Sequence, residues 1–174
     1  MELISPSSEY KDQFIDAVKE YQAIESDDRR DIYEINTAEL EKDFPTYLKK
    51  LILQSQGENL PEGYVPVSTF WLVDSHEFIG RVSIRHRLTP ELMKVGGHIG
   101  YDIRPSKRKM GYGKKILELA LLKAKELGIE RVLATCIETN IGSKKIIESN
   151  GGVFEERIPS NDGKSARLRY WINL

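Results

Sequence analysis

At Val67 the hydrophobic residues stop recurring at helical spacing and begin to alternate, and this change constrains the architecture more than any other feature of the 174-residue chain. Upstream, Tyr10, Phe14, Ala17, Val18, Tyr21 and Ile24 share one face of a predicted helix over 8–25, capped by Ser7 or Ser8, after a short strand at Leu3-Ile4. Asn36-x-x-Glu39 reads as a second helix start, and Pro45 splits that region in two, the later piece running through Tyr47, Leu48, Leu51 and Ile52. Gln54–Pro66 reads as a long loop, of the kind that carries function inside compact domains. Downstream, strands are predicted at 67–73, 78–84, 97–103, 131–137, 153–158 and 167–172. Asp74–Glu77 and Asn161-Asp162-Gly163 supply hairpin turns. Helices are predicted at 110–127, with Ile116, Leu119, Ala120, Ala124 and Leu127 inward and Gly128 as cap, and at 141–149, ended by Asn150-Gly151-Gly152. That order gives a single α/β domain, helical over 1–66, with a mixed sheet flanked by helices over 67–174.

Composition removes other classes. With 40% hydrophobic and 30% charged residues, the chain is neither disordered nor a membrane protein. No apolar run approaches the ~18–20 residues of a membrane span. The start, Met1-Glu2-Leu3-Ile4-Ser5, lacks the basic and apolar regions of a signal peptide, so a cytoplasmic protein is expected. Cys136 is the one cysteine, which excludes an internal disulfide, and His76, His86 and His98 lack metal-ligand spacing, so no metal is expected. Residues 1–60 hold 14 acids and 7 bases, a balance of −7, whereas residues 61–174 hold 13 acids and 19 bases, a balance of +6. The two parts therefore meet different partners.

The basic excess gathers between a strand and the strongest helix, in Arg104-Pro105-Ser106-Lys107-Arg108-Lys109-Met110-Gly111-Tyr112-Gly113-Lys114-Lys115. Glycines at 111 and 113 let backbone amides approach a bound group, and the helix start aims free N–H groups and a positive dipole end outward. A phosphate or pyrophosphate is the natural guest. A nucleic acid is not, because no aromatic stacking module accompanies the charges. Walker A is excluded, since Gly113-Lys114 is followed by Lys115 and position 108 is not glycine. A dinucleotide fingerprint is excluded because Ile116 stands where its third glycine belongs.

The remaining pattern, Arg108-x-x-Gly111-x-Gly113, resembles the acetyl-CoA pyrophosphate loop of the GCN5-related N-acetyltransferase (GNAT) family. The stretch Ala134–Ser143 is similar to that family's next strand and its Asn-x-x-Ser helix start, and the likeness covers roughly residues 67–172. The resemblance implies a mixed, mostly antiparallel sheet that splays between the strands at 97–103 and 131–137. It further implies acetyl-CoA as co-substrate and a small-molecule or peptide amine as acceptor, without nucleic acid or membrane, often in a homodimer. The amides from Lys109 through Met110, Gly111, Tyr112 and Gly113 to Lys114, beside Arg108, would cradle the pyrophosphate. Ile103 would pair its backbone with the pantetheine arm, the Tyr101 amide would polarise the thioester carbonyl, and Asn140 with Ser143 or Lys144 would hold the cofactor arm.

One family feature is missing. Many relatives carry a tyrosine seven residues after the asparagine, as the acid for the leaving thiolate, and here that position is Ile147. A lysine-like amine of pKa near ~10.4 is neutral in roughly one molecule per thousand at pH 7, which costs about 4 kcal/mol of barrier unless a base or water path assists. Glu138, Tyr101, His98 and Tyr170 are the candidates for the acid and base roles, with His98 expected on the strand face opposite Tyr101. The absent tyrosine raises an alternative, an acyl-CoA-binding sensor without turnover. Cys136, Trp71 and Trp171 read as packing residues. The acidic front, with Glu25, Asp27 and Asp28, suggests a field that draws in cationic acceptors.

Overall fold

The hydrophobic sets that the sequence separates by period pack on opposite faces of one sheet. The computed structural model describes residues 1–24, 31–159 and 165–174. In chain order the elements are β1 (Glu2–Ile4), α1 (Lys11–Gln22), α2 (Thr37–Lys42), α3 (Phe44–Gln56), β2 (Val67–Asp74), β3 (Glu77–Arg85), α4 (Pro90–Val95), β4 (Ile99–Ile103), α5 (Tyr112–Glu126), β5 (Arg131–Ile137), α6 (Ile141–Ser149), β6 (Val153–Ile158) and β7 (Arg167–Asn173). Strands β1-β2-β3-β4 form one antiparallel sheet and β5-β7-β6 another. The Asn161-Asp162-Gly163 turn and the acidic residues Glu25, Asp27 and Asp28 lie outside the described residues.

The local signals act as the sequence predicts at several ends. Ser7 accepts from Glu9, and Asn36 accepts from Ala38 and Glu39, whereas α3 runs on to Gln56, into the segment expected as loop from Gln54, before Gly57 closes it at φ +77°. Pro45 lies in the first turn of α3, where its missing N–H costs nothing. The β2–β3 turn is tighter than expected: the strands run on to Asp74 and Glu77, leaving Ser75 and His76 at φ +49° and +64°. Gln13 of α1 clamps that turn, donating to the His76 carbonyl (3.1 Å) and accepting from the Phe78 N–H (2.7 Å). The sequence reading left out α4, although Thr89 caps it through Leu92 and Pro90 opens it.

On one face of the first sheet, Phe14 of α1 stacks on Trp71 of β2 at 4.7 Å, with Phe44 and Phe78 completing the aromatic cluster. On the other face α5 buries Ile116, Leu117, Ala120 and Ala124 against both sheets. Leu117 takes the inward place expected of Leu127, which ends the helix exposed, because the buried stripe curves around α5 to follow two sheets rather than one.

Strands β4 and β5 meet at one point. The His98 N–H donates to the Leu133 carbonyl (2.8 Å), as in a ladder. The Leu133 N–H donates in turn to the His98 imidazole at Nδ1 (2.9 Å). Beyond this junction, closed by one backbone and one side-chain bond, the two sheets stay separate. Because Nδ1 accepts, the ring is neutral there, and burial, aided by the nearby Arg85 charge, lowers its pKa. A histidine with a folded pKa below its unfolded value contributes stability above that unfolded value and loses it as pH falls through the folded one. We expect wild-type protein to lose stability between pH 7 and pH 5 relative to His98→Asn, whose side-chain carbonyl accepts the same N–H without titrating. Urea midpoints measured across that range check this.

Candidate functional site

The segment between β4 and α5 is built from below by acids. Glu20 of α1 accepts from Arg104 Nε (2.6 Å) and from the Ser106 N–H (3.0 Å), and Glu77 pairs with Lys107. Burial opposes the Glu20 charge, but those donors hold its pKa below the usual carboxylate value. Arg104 and Lys107 are thereby spent on anchoring, and Lys115 pairs with Glu118. Among the described residues, Arg108, Lys109 and Lys114 have no carboxylate within ion-pair distance, and all three line a cleft of about 540 Å³. Lys109 and Gly111 both adopt left-handed conformations, at φ +63° and +87°. The N–H groups from Lys109 to Gly113 reach no acceptor of the chain among the described residues. Consecutive free amides in such a turn, ending on a helix start, form an anion-binding concavity.

The two glycines have different work. A Cβ on Gly111 would meet nothing within 4 Å, so the backbone angle requires glycine there. A Cβ on Gly113 would collide with Ile146 Cδ1, so glycine there lets α5 and α6 approach closely. The sequence reading gave both glycines one role, but they differ: Gly111 makes the turn and Gly113 packs against Ile146.

The opposite wall comes from β4. Arg85 N–H donates to the His98 carbonyl and Arg104 N–H to the Ile79 carbonyl, which fixes the phase of the β3–β4 ladder. In that phase Ile99, Tyr101 and Ile103 occupy the positions whose backbone groups turn away from β3, toward the separation between the sheets. The Ile103 carbonyl is already engaged by Arg108 Nε (3.1 Å). Asn140 caps α6 by accepting from the Ser143 N–H (2.9 Å). The Tyr101 hydroxyl meets Ser143 Oγ at 3.0 Å, a bridge from β4 to α6 across the gap.

Of the residues singled out in the sequence for the cofactor, Tyr101, Ile103, Arg108, Lys109, Gly111, Gly113, Lys114, Asn140 and Ser143 line this cleft. Met110 projects into solvent, and the Tyr112 hydroxyl turns back to Asp74 (3.3 Å). Lys144 faces Glu148, and its neighbour Lys145 lines the cleft instead, one residue further round the helix.

A second cleft of about 440 Å³ lies on the other side of the Tyr101–Ser143 bridge and shares Tyr101, Asp102 and Ser143 with the first. It sits on the sheet face that the N-terminal helices cover, bounded by Leu60, Tyr64 and Val65 of the long loop. Its charged lining is Arg81, Arg85, Arg167 and Asp102. Arg81 and Asp102 are register partners across β3 and β4, buried and 3.4 Å apart. The sequence reading missed this group. Its signal was the alternation Arg81-x-Ser83-x-Arg85, which reads equally well as the solvent face of a strand.

Among the four acid–base candidates only Tyr101 faces the clefts. Glu138 is fastened to Arg157 by two bonds of 2.8 Å, which hold its pKa below the usual carboxylate value. Tyr170 is buried with its hydroxyl toward Glu148 (3.3 Å), and burial pushes its pKa up to about 12. His98 is the junction described above. Ile147 is buried in the core against Gly152 and lines neither cleft. Among the described residues, no group of His, Cys, Asp or Glu is arranged to hold a metal ion. No described helix is long and apolar enough to cross a membrane.

A family model described as an acetyltransferase (GNAT) domain matches residues 20–153. A search of the curated proteins gives no match. Solved structures with the same fold include RimL, a ribosomal L7/L12 alpha-N-protein acetyltransferase in complex with coenzyme A, at 18% identity and a TM-score of 0.71 over 99% of this chain and 93% of that one. The microcin C7 self-immunity acetyltransferase MccE, solved with acetyl-CoA and AMP, is 13% identical with a TM-score of 0.68, over 99% and 91%. A spermidine N-acetyltransferase SpeG variant from Vibrio cholerae is 16% identical with a TM-score of 0.64, over 99% and 95%.

The packing role of Gly113 is testable by a double-mutant cycle. Gly113→Ala should cost about 1–3 kcal/mol by overpacking. Ile146→Val removes the Cδ1 that the new methyl meets, so in that background the cost should fall by at least ~0.5 kcal/mol in chemical denaturation. Strict additivity would mean the glycine is not there for Ile146.

Proposed function

The chain belongs to the GNAT acetyltransferase family, and from that premise we propose that it transfers the acetyl group of acetyl-CoA to a primary amine by direct attack in a ternary complex. The observation that carries this reading is the pair of clefts meeting at the Tyr101–Ser143 bridge, one lined by free amides and cations, the other by the sheet face under the N-terminal helices. The donor cleft fits an elongated diphosphate ligand: unpaired amides at 109–113 with Arg108, Lys109 and Lys114 at one end, and the outward backbone edge of β4 along its side.

When bound, acetyl-CoA supplies an activated thioester carbonyl, which the acceptor amine attacks with loss of the thiol. The amides from Lys109 to Gly113 hold the diphosphate, and the Ile103 edge aligns the arm. The Tyr101 N–H, on the outward edge, donates to the carbonyl oxygen where charge develops. The Tyr101–Ser143 hydroxyl pair passes a proton to the leaving sulfur, in place of the tyrosine that Ile147 replaces. With those hydroxyls at the bridge, the ground for a sensor without turnover falls away.

Acetyl-CoA at a hundredfold excess over Kd should stabilise the protein by about 2.7 kcal/mol in thermal unfolding. No shift with acetyl-CoA or CoA at millimolar concentration overturns the reading. Ser143→Ala combined with Tyr101→Phe should lower kcat about 10²-fold, the ordinary weight of a general acid, with little change in that stabilisation. An unchanged kcat would take the proton transfer away from this pair.

A further inference from the structure

We propose that Glu20 is a positioning residue for acetyl-CoA: from α1 it sets the loop before α5 so that the free amides at 109–113 face the diphosphate. The inference rests on the acetyltransferase reading and adds to it a residue that lines neither cleft. A carboxylate gripping an anion-binding loop needs a physical reason, because its charge alone opposes a diphosphate. The reason lies in what its two oxygens hold.

Glu20 Oε1 accepts from Arg104 Nε at 2.6 Å, and Oε2 accepts from the Ser106 backbone N–H at 3.0 Å. One bond holds a side chain and the other the main chain, so residues 104–106 are fixed against α1 in position and in rotation. The Arg104 N–H is tied at the same time to the Ile79 carbonyl of β3 at 2.9 Å. A single 3₁₀ turn, Pro105–Lys107, follows, and the Arg108 N–H closes on the Pro105 carbonyl. The free amides begin at the next residue, Lys109. Among the described residues, the Ser106 N–H is thus the last main-chain donor before them that another element holds. Asp74 and Glu77 also reach this segment, but they meet only the Tyr112 hydroxyl and the Lys107 ammonium. The platform under Glu20 is firm. Phe14, Ala17, Val18 and Tyr21 of α1 are buried, Phe14 stacks on Trp71, and the Tyr21 ring lies 5.9 Å from the Arg108 guanidinium.

The test is calorimetric binding of CoA to the full chain and to Glu20→Ala, Glu20→Gln and Glu118→Gln. Each variant removes one negative charge beside the same basic segment; Glu118 pairs with Lys115 and takes no N–H of the loop. Charge alone predicts that all three bind CoA as well as wild type or more tightly. Positioning predicts the opposite sign at Glu20: Kd rises about ten-fold in Glu20→Ala, the weight of a charge-assisted hydrogen bond. Glu20→Gln keeps an oxygen for the Ser106 N–H, so its Kd should rise less, by about three-fold, while Glu118→Gln stays within about two-fold of wild type. With an amine that supports thiol release, KM for acetyl-CoA should rise in the same order while kcat at saturation is retained, a split that general loosening of the fold would not produce. Urea midpoints without ligand verify folding, and if Glu20→Ala does not fold, Glu20→Gln against Glu118→Gln decides. Unchanged or tighter CoA binding by the Glu20 variants, or an equal loss in Glu118→Gln, overturns the inference. Wild-type protein that binds neither CoA nor acetyl-CoA overturns the acetyltransferase reading itself, and the inference falls with it.

Discussion

A peptide ladder continues only while each strand offers its neighbour backbone donors and acceptors in register, and between β4 and β5 that exchange stops after one bond. There the His98 N–H donates to the Leu133 carbonyl, and the His98 imidazole accepts from the Leu133 N–H. Beyond that junction the outward groups of Tyr101 and Ile103 stand apart from β5, and space opens between two sheets that α5 still covers jointly. Both clefts are products of that divergence. Had the ladder continued, Tyr101 and Ser143 would have no gap to bridge and the loop amides would face a closed sheet.

Charge is organised around the same gap. The basic loop is a layered structure in which Glu20 and Glu77 neutralise the bases that anchor it and the remaining cations face the donor cleft. The N-terminal acids thus serve partly as foundation for the loop, rather than as a distant field. Across the Tyr101–Ser143 bridge, the second cleft is lined by Arg81, Arg85, Arg167 and Asp102, of which Arg81 and Asp102 form a buried ion pair across β3 and β4.

Much of the architecture was legible because local rules dominate it. Strand β5 and helix α6 fall at the predicted residues, the Asn36 and Asn140 caps act as caps, and the loop at 104–115 joins strand to helix. Helix α4 was missed because six residues with one capping threonine give a weak periodic signal, although Thr89-Pro90 marked its start. The acid–base candidates fared worse. Glu138 looked available as a strand-end carboxylate until Arg157, nineteen positions away, came to hold it. Tyr170 and His98 belong to core and junction, and no alternation rule distinguishes a buried face over a core from a buried face over a cleft.

By itself the sequence determined where the chain turns from helix to strand, that a glycine-bearing basic loop precedes a long helix, and which residues sit at its start. Each of these follows from spacing, backbone freedom and charge within a few residues. Tertiary structure decided that Gly113 serves α5–α6 packing, that Lys145 rather than Lys144 faces the donor cleft, and that Tyr101 meets Ser143. It also turned Arg81, Arg85 and Arg167 from an apparent solvent face and a strand start into the lining of one cleft. These outcomes depend on which elements lie opposite one another, and that is set by long-range packing on two separated sheets.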